Sequence, residues 1–405
     1  MPQIDSGAPH THSSSATAAT LLAIVLTVVT AATSCTVGSS APDATDPEKA
    51  CLDAHAEEYG PPGASARTTQ LPPLFVGAPD VTKIPFMDGV ALGLFSADKA
   101  YDYRMLLQEI ADTGAGWVSL CINFYQDKVD SSEVGIDAPH TATWERITCT
   151  IRQAHALGLR VFIFPILLIQ NPGENDWRGT IQPTNRDAWY SGYHALILRI
   201  AKLAAAEKAE MLSIGSEFNS MQTDTARWRA LIADVRAVYP GLVTYSVNWD
   251  SLEDPEFFDA LDIIGMTTYF SLTDKDDPTV AELQAKLTEI RDDVLTWQFQ
   301  HKMPLLFTEV GFPSQDGANK DPWNYYISTV PDLGEQRDCY EAFTNVWDGV
   351  PGLHGLFFYN WFGVGGAQDT GYTPRGKPAA AIIRQWFQRH SKSAAPVPAT
   401  TKGSR

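Results

Sequence analysis

The stretch Met303-Pro-Leu-Leu-Phe-Thr-Glu-Val-Gly-Phe-Pro-Ser314 is an apolar run that closes on a single carboxylate, Glu309. A strand covered on both faces reads as continuous Leu, Val and Phe, so an acid at its end needs a reason. Glu210-Met-Leu-Ser-Ile-Gly-Ser-Glu217 repeats the pattern, a short apolar run closing on Glu217. Either glutamate alone reads equally well as a hydrogen-bonded acid at a strand-loop junction. Together they suggest a catalytic pair.

Working outward from these two runs, the same alternation occurs eight times, each apolar run being followed by a segment of helical spacing. The pairs are 89–95 with 101–113, 117–125 with 143–157, 160–168 with 186–206, and 211–217 with 224–238. They continue as 242–248 with a short segment at 255–260, 261–269 with 279–298, 304–312 with 334–347, and 353–361 with 377–389. Eight strand-helix units within one domain predict an α/β fold, a (β/α)8 TIM barrel over 71–392. Gly158 and the pair Pro240-Gly241 stand where helices have to stop before the next strand. A doubly wound open sheet would carry a glycine-rich phosphate loop after its first strand, and Leu94-Phe-Ser-Ala-Asp98 is not one.

The chain has 405 residues, 44% of them hydrophobic, and a formal charge of −18. That charge argues against nucleic acid or an anionic membrane surface as partner and leaves neutral substrates open. Residues 1–35 read as an export signal around Leu21-Leu-Ala-Ile-Val-Leu-Thr-Val-Val29. The following Ala31-Ala-Thr-Ser-Cys35 resembles a lipoprotein signal with Cys35 as the lipidated residue and a membrane tether. No Lys or Arg precedes the run, so ordinary cleavage near Ala32 and an uncleaved anchor stay open. Residues 36–70 read as a flexible linker and 393–405 as a disordered tail. The expected location is extracellular or in the cell envelope. In that compartment Cys51, Cys121, Cys149 and Cys339 offer two disulfides, with Cys121 also readable as a buried thiol. No cysteine pair has zinc spacing and no strand carries a His-x-His pair, so no metal and no other cofactor is expected.

In a barrel the active site lies at the carboxyl ends of the strands. The residues there are Tyr125 and Gln126, Glu217, Asn248 and Trp249, Tyr269, Glu309, and Asn360 with Trp361; Trp177 lies in the long loop after the third strand. Carboxylates, amides and aromatic rings converging on one mouth suit a carbohydrate, because rings stack on the C–H faces of a pyranose and amides take its hydroxyls. Glycoside hydrolysis needs one carboxylic acid and one carboxylate across the scissile bond. Residue types alone do not say which glutamate plays which part.

Gly215-Ser-Glu217 and Phe307-Thr-Glu-Val-Gly-Phe-Pro-Ser314 resemble clan A glycoside hydrolases, most closely family 113, a group of retaining β-mannanases. The likeness continues through Tyr125-Gln-Asp127, Trp177-Arg-Gly179, Asn248-Trp-Asp250, Tyr359-Asn-Trp361 and Gly371-Tyr-Thr-Pro-Arg-Gly-Lys-Pro378, over about residues 86 to 390. It implies a TIM barrel with Glu217 as general acid/base and Glu309 as nucleophile. It also implies that Tyr269 hydrogen-bonds the nucleophile and that Trp361 floors the subsite of the attacked sugar. Where such enzymes carry a Lys-Pro-His-x-Asp type sequence, this chain reads Phe164-Pro-Ile-Leu-Leu168, which puts mannan specificity in question more than the reaction type. The expectation is a monomeric retaining β-glycosidase acting on a neutral β-linked poly- or oligosaccharide, mannan first. A carbohydrate-binding barrel without catalysis and a transglycosylase using the same glutamates are the alternatives.

Overall fold

The computed structural model describes residues 79–252 and 255–393, with 71, 73 and 74, and the side chains as far as residue 390. The export signal, Cys35, the 36–70 linker, Cys51 and all but the first residue of the expected tail lie outside the described residues.

Eight parallel strands close on themselves in chain order. They are β1 (Met87–Gly93), β2 (Trp117–Gln126), β3 (Arg160–Ile169), β4 (Met211–Ser216), β5 (Leu242–Val247), β6 (Ile263–Thr267), β7 (Leu305–Val310) and β8 (Leu353–Phe358). The helices between them are α1 (Arg104–Asp112), α2 (Trp144–Ala156), α3 (Arg186–Ala206), α4 (Thr225–Val238), α5 (Val280–His301) and α6 (Leu333–Trp347), with α7 (Ala379–Ser393) after β8. The fifth unit has a single 3-10 turn, Phe258–Ala260, in place of a helix. Pairing of β1 with β8, Met87 opposite Gly355, closes the sheet and excludes the open doubly wound alternative.

Period-two alternation sorts each strand into two layers. Val90 and Leu92 of β1, Val118 and Leu120 of β2 and Leu212 and Ile214 of β4 pack outward against the helices. Met87 and Ala91, Trp117 and Cys121, Phe162 and Phe164, Leu306 and Phe357 fill the interior. The interior is packed large against small. The rings of Phe162 and Phe357 lie 5.2 Å apart, and the space for Phe357 exists because Gly89 faces it. Gly355 is as constrained: an added Cβ would lie 2.6 Å from the Met87 Cβ and 2.9 Å from the Met87 carbonyl oxygen.

Polar chemistry sets the element ends. Thr143, Asn185 and Asp332 accept backbone N–H groups at the starts of α2, α3 and α6, and Thr279 and Glu282 cap α5 reciprocally. Gly158 ends α2 with φ +76°, a value that costs an L side chain strain. At the amino-terminal face of the barrel Glu210 accepts the Val161 N–H at 2.7 Å, and Asp262 accepts the Val243 N–H at 2.7 Å. Each also meets an arginine, Arg160 and Arg236 respectively. These carboxylates hold strand starts.

Of the cysteines, Cys149 is disulfide-bonded, while Cys121 and Cys339 are buried free thiols. The expectation of two disulfides among the four is thereby corrected. Cys121 faces the barrel interior and Cys339 lies inside α6, each surrounded by its own packing.

Gly355→Ala tests the interior packing. The neighbouring contact is partly backbone, so relief requires a strand to shift, and we expect a loss of about 2 kcal/mol in unfolding free energy by urea titration. An unchanged midpoint would show that the interior has slack at this layer.

Candidate active site

Both glutamates are brought to the carboxyl-terminal mouth, and neither gets there by regular alternation. On β7, Phe307 and Val310 both pack in the outer layer, three positions apart where period two permits two or four. The strand therefore carries an extra residue, and its register against β6 and β8 shifts there. The bulge turns Thr308 and Glu309 both inward. Thr308 is spent on the scaffold, its hydroxyl 3.1 Å from the Met266 carbonyl and 2.5 Å from the Ser246 hydroxyl. On β4 the register against β5 shifts between Ser213 and Ser216, and Glu217 follows in the left-handed region at φ +56°. For a glutamate that conformation costs about 1 kcal/mol, held here by its N–H on the Ser246 carbonyl at 2.9 Å.

Glu217 and Glu309 are 4% and 3% exposed, so their charges sit almost without water. The Tyr269 hydroxyl donates to Glu309 Oε2 at 2.6 Å. Glu309 Oε1 has no partner among the described residues. Arg178, in a 3-10 turn after β3, forms an ion pair with Glu217 Oε2. Burial pushes the Glu309 carboxyl up to about 7, and the Glu217 charge adds to that; Arg178 and the Tyr269 hydrogen bond pull the other way. Burial keeps Tyr269 a protonated donor by pushing its hydroxyl well above the usual range. Arg178 is itself buried, which opposes its charge, but the Glu217 and Glu309 carboxylates more than restore it. The result is one cation and one neutral donor serving two acids.

The other expected residues divide by strand face. Tyr125 lies on the inward file of β2 with Cys121 and Asn123, half-buried. Gln126, the next residue, falls on the opposite face, and its substrate role is corrected. It is fully buried, accepting the Trp189 indole N–H at 2.8 Å and donating to the Lys128 carbonyl at 2.6 Å. Trp361 is likewise corrected. It is 2% exposed and packs in the outer layer, where its indole N–H donates to Glu109 of α1 at 2.8 Å. Glu109 is also held by Arg375 at 2.6 and 2.7 Å, so Trp361 belongs to a brace and not to the mouth.

Tyr359 occupies the place expected for Trp361. It follows Phe357 on the inward file of β8, and its ring meets Tyr269 at 6.4 Å and Tyr372 at 5.4 Å. Burial, then the Glu309 charge, raise its hydroxyl well above the usual range. Arg178, Tyr359 and Tyr372 lie within the family motifs of the sequence but are not among the site residues expected from it. The available signal for Tyr359 was alternation counted from Phe357. Asn248 donates to Asp250 at 2.6 Å, and burial, then the Glu217 charge, raise the Asp250 carboxyl. Asn360 accepts the Phe362 N–H at 2.8 Å. Trp249 stacks on Trp323 at 5.4 Å, and Trp177 lies over its own turn against Gly179, 6.0 Å from the Arg178 guanidinium. The inward file of β3 is apolar to its end, with Ile166 and Leu168 against the interior cluster. Among the described residues no group of three His, Cys, Asp or Glu side chains is arranged to hold a metal ion.

Two coupled buried carboxylates, a tyrosine donor and a buried arginine can carry acid-base and nucleophilic chemistry at one carbon. Comparison with known proteins bears on which. A search of curated proteins finds no match. Among solved structures the chain is similar to the family 113 β-mannanase AaManA from Alicyclobacillus acidocaldarius in complex with ManMIm. Identity is 26%, with 76% of this chain and 98% of that one covered and a TM-score of 0.67. A complex of a family 113 β-1,4-mannanase matches at 25% identity, 75% and 99% coverage and a TM-score of 0.65. A β-D-glucuronidase from Dictyoglomus thermophilum, at 17% identity and a TM-score of 0.50, shares the fold over 76% of this chain and 51% of its own. The sequence model of Glycoside Hydrolase Family 113 matches residues 89–377, spanning all eight strands save the first two residues of β1. The chain belongs to Glycoside Hydrolase Family 113 and is a glycoside hydrolase.

Proposed function

We propose that the protein hydrolyses a neutral β-linked glycan, β-1,4-mannan first, by double displacement with Glu309 as nucleophile and Glu217 as general acid/base. The observation that carries this reading is the buried Glu217/Glu309 pair, coupled in charge and served by Arg178 and Tyr269, at the mouth of a family 113 barrel. The similar solved structures are β-mannanases, which supports mannan as the first substrate. The apolar end of β3 supports a glycone side that relies on fewer polar contacts.

In the first step Glu309 Oε1, unpartnered among the described residues, attacks the anomeric carbon while Glu217 delivers a proton to the departing oxygen. The C–O bond to the leaving sugar breaks and an ester to Glu309 forms. In the second step Glu217 takes a proton from water, the water oxygen bonds the same carbon, and the Glu309 carboxylate leaves. Tyr269 stabilises Glu309 whenever it is charged, on arrival and departure. Tyr359 and Tyr372 enclose the same carboxylate with apolar ring surface, which keeps water from competing with the sugar.

Proton placement is set by the pair and not by either acid alone. The productive form has Glu309 ionised and the proton on Glu217. Because Glu309 is raised to about 7, its ionised fraction falls as pH drops through that value, so kcat/KM should lose activity on an acidic limb near pH 7. Arg178 lowers the Glu309 value, so Arg178→Met should move that limb to higher pH, while Arg178→Lys, which keeps the cation, should move it less. A limb that stays in place in both variants would remove Arg178 from the proton balance.

Glu309→Gln should reduce kcat on β-1,4-mannan by about 10⁴-fold or more while the urea midpoint holds. In the parent enzyme the first anomer released, followed by NMR, should retain the β configuration. Undiminished turnover in the variant, or an inverted first product, would defeat the double-displacement assignment.

A further inference from the structure

Five of the nine large apolar side chains that are exposed among the described residues lie within 323–330, on the segment between β7 and α6. Three of them are flat rings: Trp323 is 43% exposed, Tyr325 47% and Tyr326 80%. Such a concentration marks a contact surface, since scattered single exposures are the norm.

The segment is built to hold those rings still. The Glu335 carboxyl accepts the N–H groups of Gly317 and Asn319 at 3.0 and 2.7 Å. Gln315 donates to the Asn324 carbonyl at 2.6 Å and accepts from Ser328 N at 3.3 Å, bracketing the aromatic run. The Tyr372 hydroxyl donates to the Pro322 carbonyl at 2.7 Å, and Asn319 ties the segment to the β6 loop through the Thr273 and Lys275 carbonyls. A surface pre-ordered in this way loses little entropy on binding.

The surface is also continuous with the catalytic centre. Tyr325 packs on Tyr372 at 5.8 Å, Tyr372 on Tyr269 at 5.8 Å, and Tyr269 donates to Glu309. Across the loops after β5 and β6, Trp323 stacks on Trp249 at 5.4 Å and 26°, and Trp249 meets Phe270 at 5.5 Å. Tyr325 and Tyr326 stand 4.2 Å apart as a pair. Aromatic surface thus runs outward from Glu309 through Tyr269 and Tyr372 to the ordered segment, where Trp323 extends it to Trp249 and Phe270.

We propose that Trp323 and the Tyr325–Tyr326 pair form a distal sugar-binding platform, taking units of the same neutral β-linked chain beyond the ring being cleaved. This rests on the glycan-hydrolase reading above and adds how a long chain is recognised. Flat rings with polar edges fit the C–H faces and hydroxyl rim of a pyranose, and the net acidity of the chain disfavours an anionic occupant. A binding platform outside the cleavage point makes long chains better substrates than short ones and favours attack within the chain.

The test uses the Glu309→Gln form so that binding is read without turnover. It is titrated with β-1,4-linked hexasaccharides of mannose, glucose and xylose while tryptophan fluorescence is followed, with and without Trp323→Ala or Tyr326→Ala. Affinity for the preferred hexasaccharide should weaken about tenfold in each combined variant, the size expected for losing an aromatic anchor, and Trp323→Phe should restore most of it. Equal affinity with and without the rings, or no binding of any of the three sugars, would overturn the platform. In the active enzyme the ratio of kcat/KM for mannohexaose to that for an aryl β-mannoside should fall by a similar factor in Trp323→Ala. A parent enzyme that binds a hexasaccharide through these rings yet cleaves none defeats the catalytic reading and leaves the platform supported.

Discussion

Two like charges buried side by side are the constraint from which the rest of this mouth follows. Glu217 and Glu309 are both nearly dry, and moving even one carboxylate out of water without compensation costs several kcal/mol. At the mouth the buried Arg178 cation is placed on Glu217 and the Tyr269 hydroxyl on Glu309. At Glu309, burial and then the Glu217 charge outweigh Arg178 and Tyr269, and its carboxyl is raised to about 7, in the range where an enzyme has to move a proton.

The same residue type does different work at the two ends of the barrel. Glu210 and Asp262, before β4 and β6, accept strand N–H groups and face arginines, so both are engaged in structure. Glu309, at the far end, keeps an oxygen without a partner among the described residues. Satisfied carboxylates hold a fold together; an unsatisfied one in a pocket stores reactivity. Local irregularity accompanies that store, in the left-handed backbone at Glu217 and the bulge at Glu309.

Around the pair, aromatic side chains divide between bracing and contact. Trp361 and Trp189 spend their indole N–H groups on Glu109 and Gln126 inside the helical layer. Tyr359, Tyr372 and Tyr269 form a collar on Glu309. The loops after β5 and β7 carry rings outward to solvent. Tyr372 belongs to both the collar and the loop anchor, so the outer surface and the reacting carboxylate are positioned by one hydroxyl and one ring.

Eight apolar runs, their helical partners and the two glutamates that end runs four and seven were readable from residue order, because strand burial and helix amphipathicity write themselves into local periodicity. So was the family, through motifs distributed across most of the barrel. Which side chain of an adjacent pair meets the mouth was readable only in part: Gln126 follows Tyr125 on the opposite face, and Tyr359, not Trp361, continues the inward file from Phe357. Those two follow plain alternation once the inward file is known, whereas the inward turn of Glu217 and Glu309 rests on bulges in β4 and β7 that form only when neighbouring strands pair. Arg178 came from a loop nine residues beyond the end of β3, and nothing local marks such a residue as the counter-ion of a glutamate that ends the next strand. Periodicity is a property of a segment, whereas charge compensation is a property of the space between segments, and only closing the barrel creates that space.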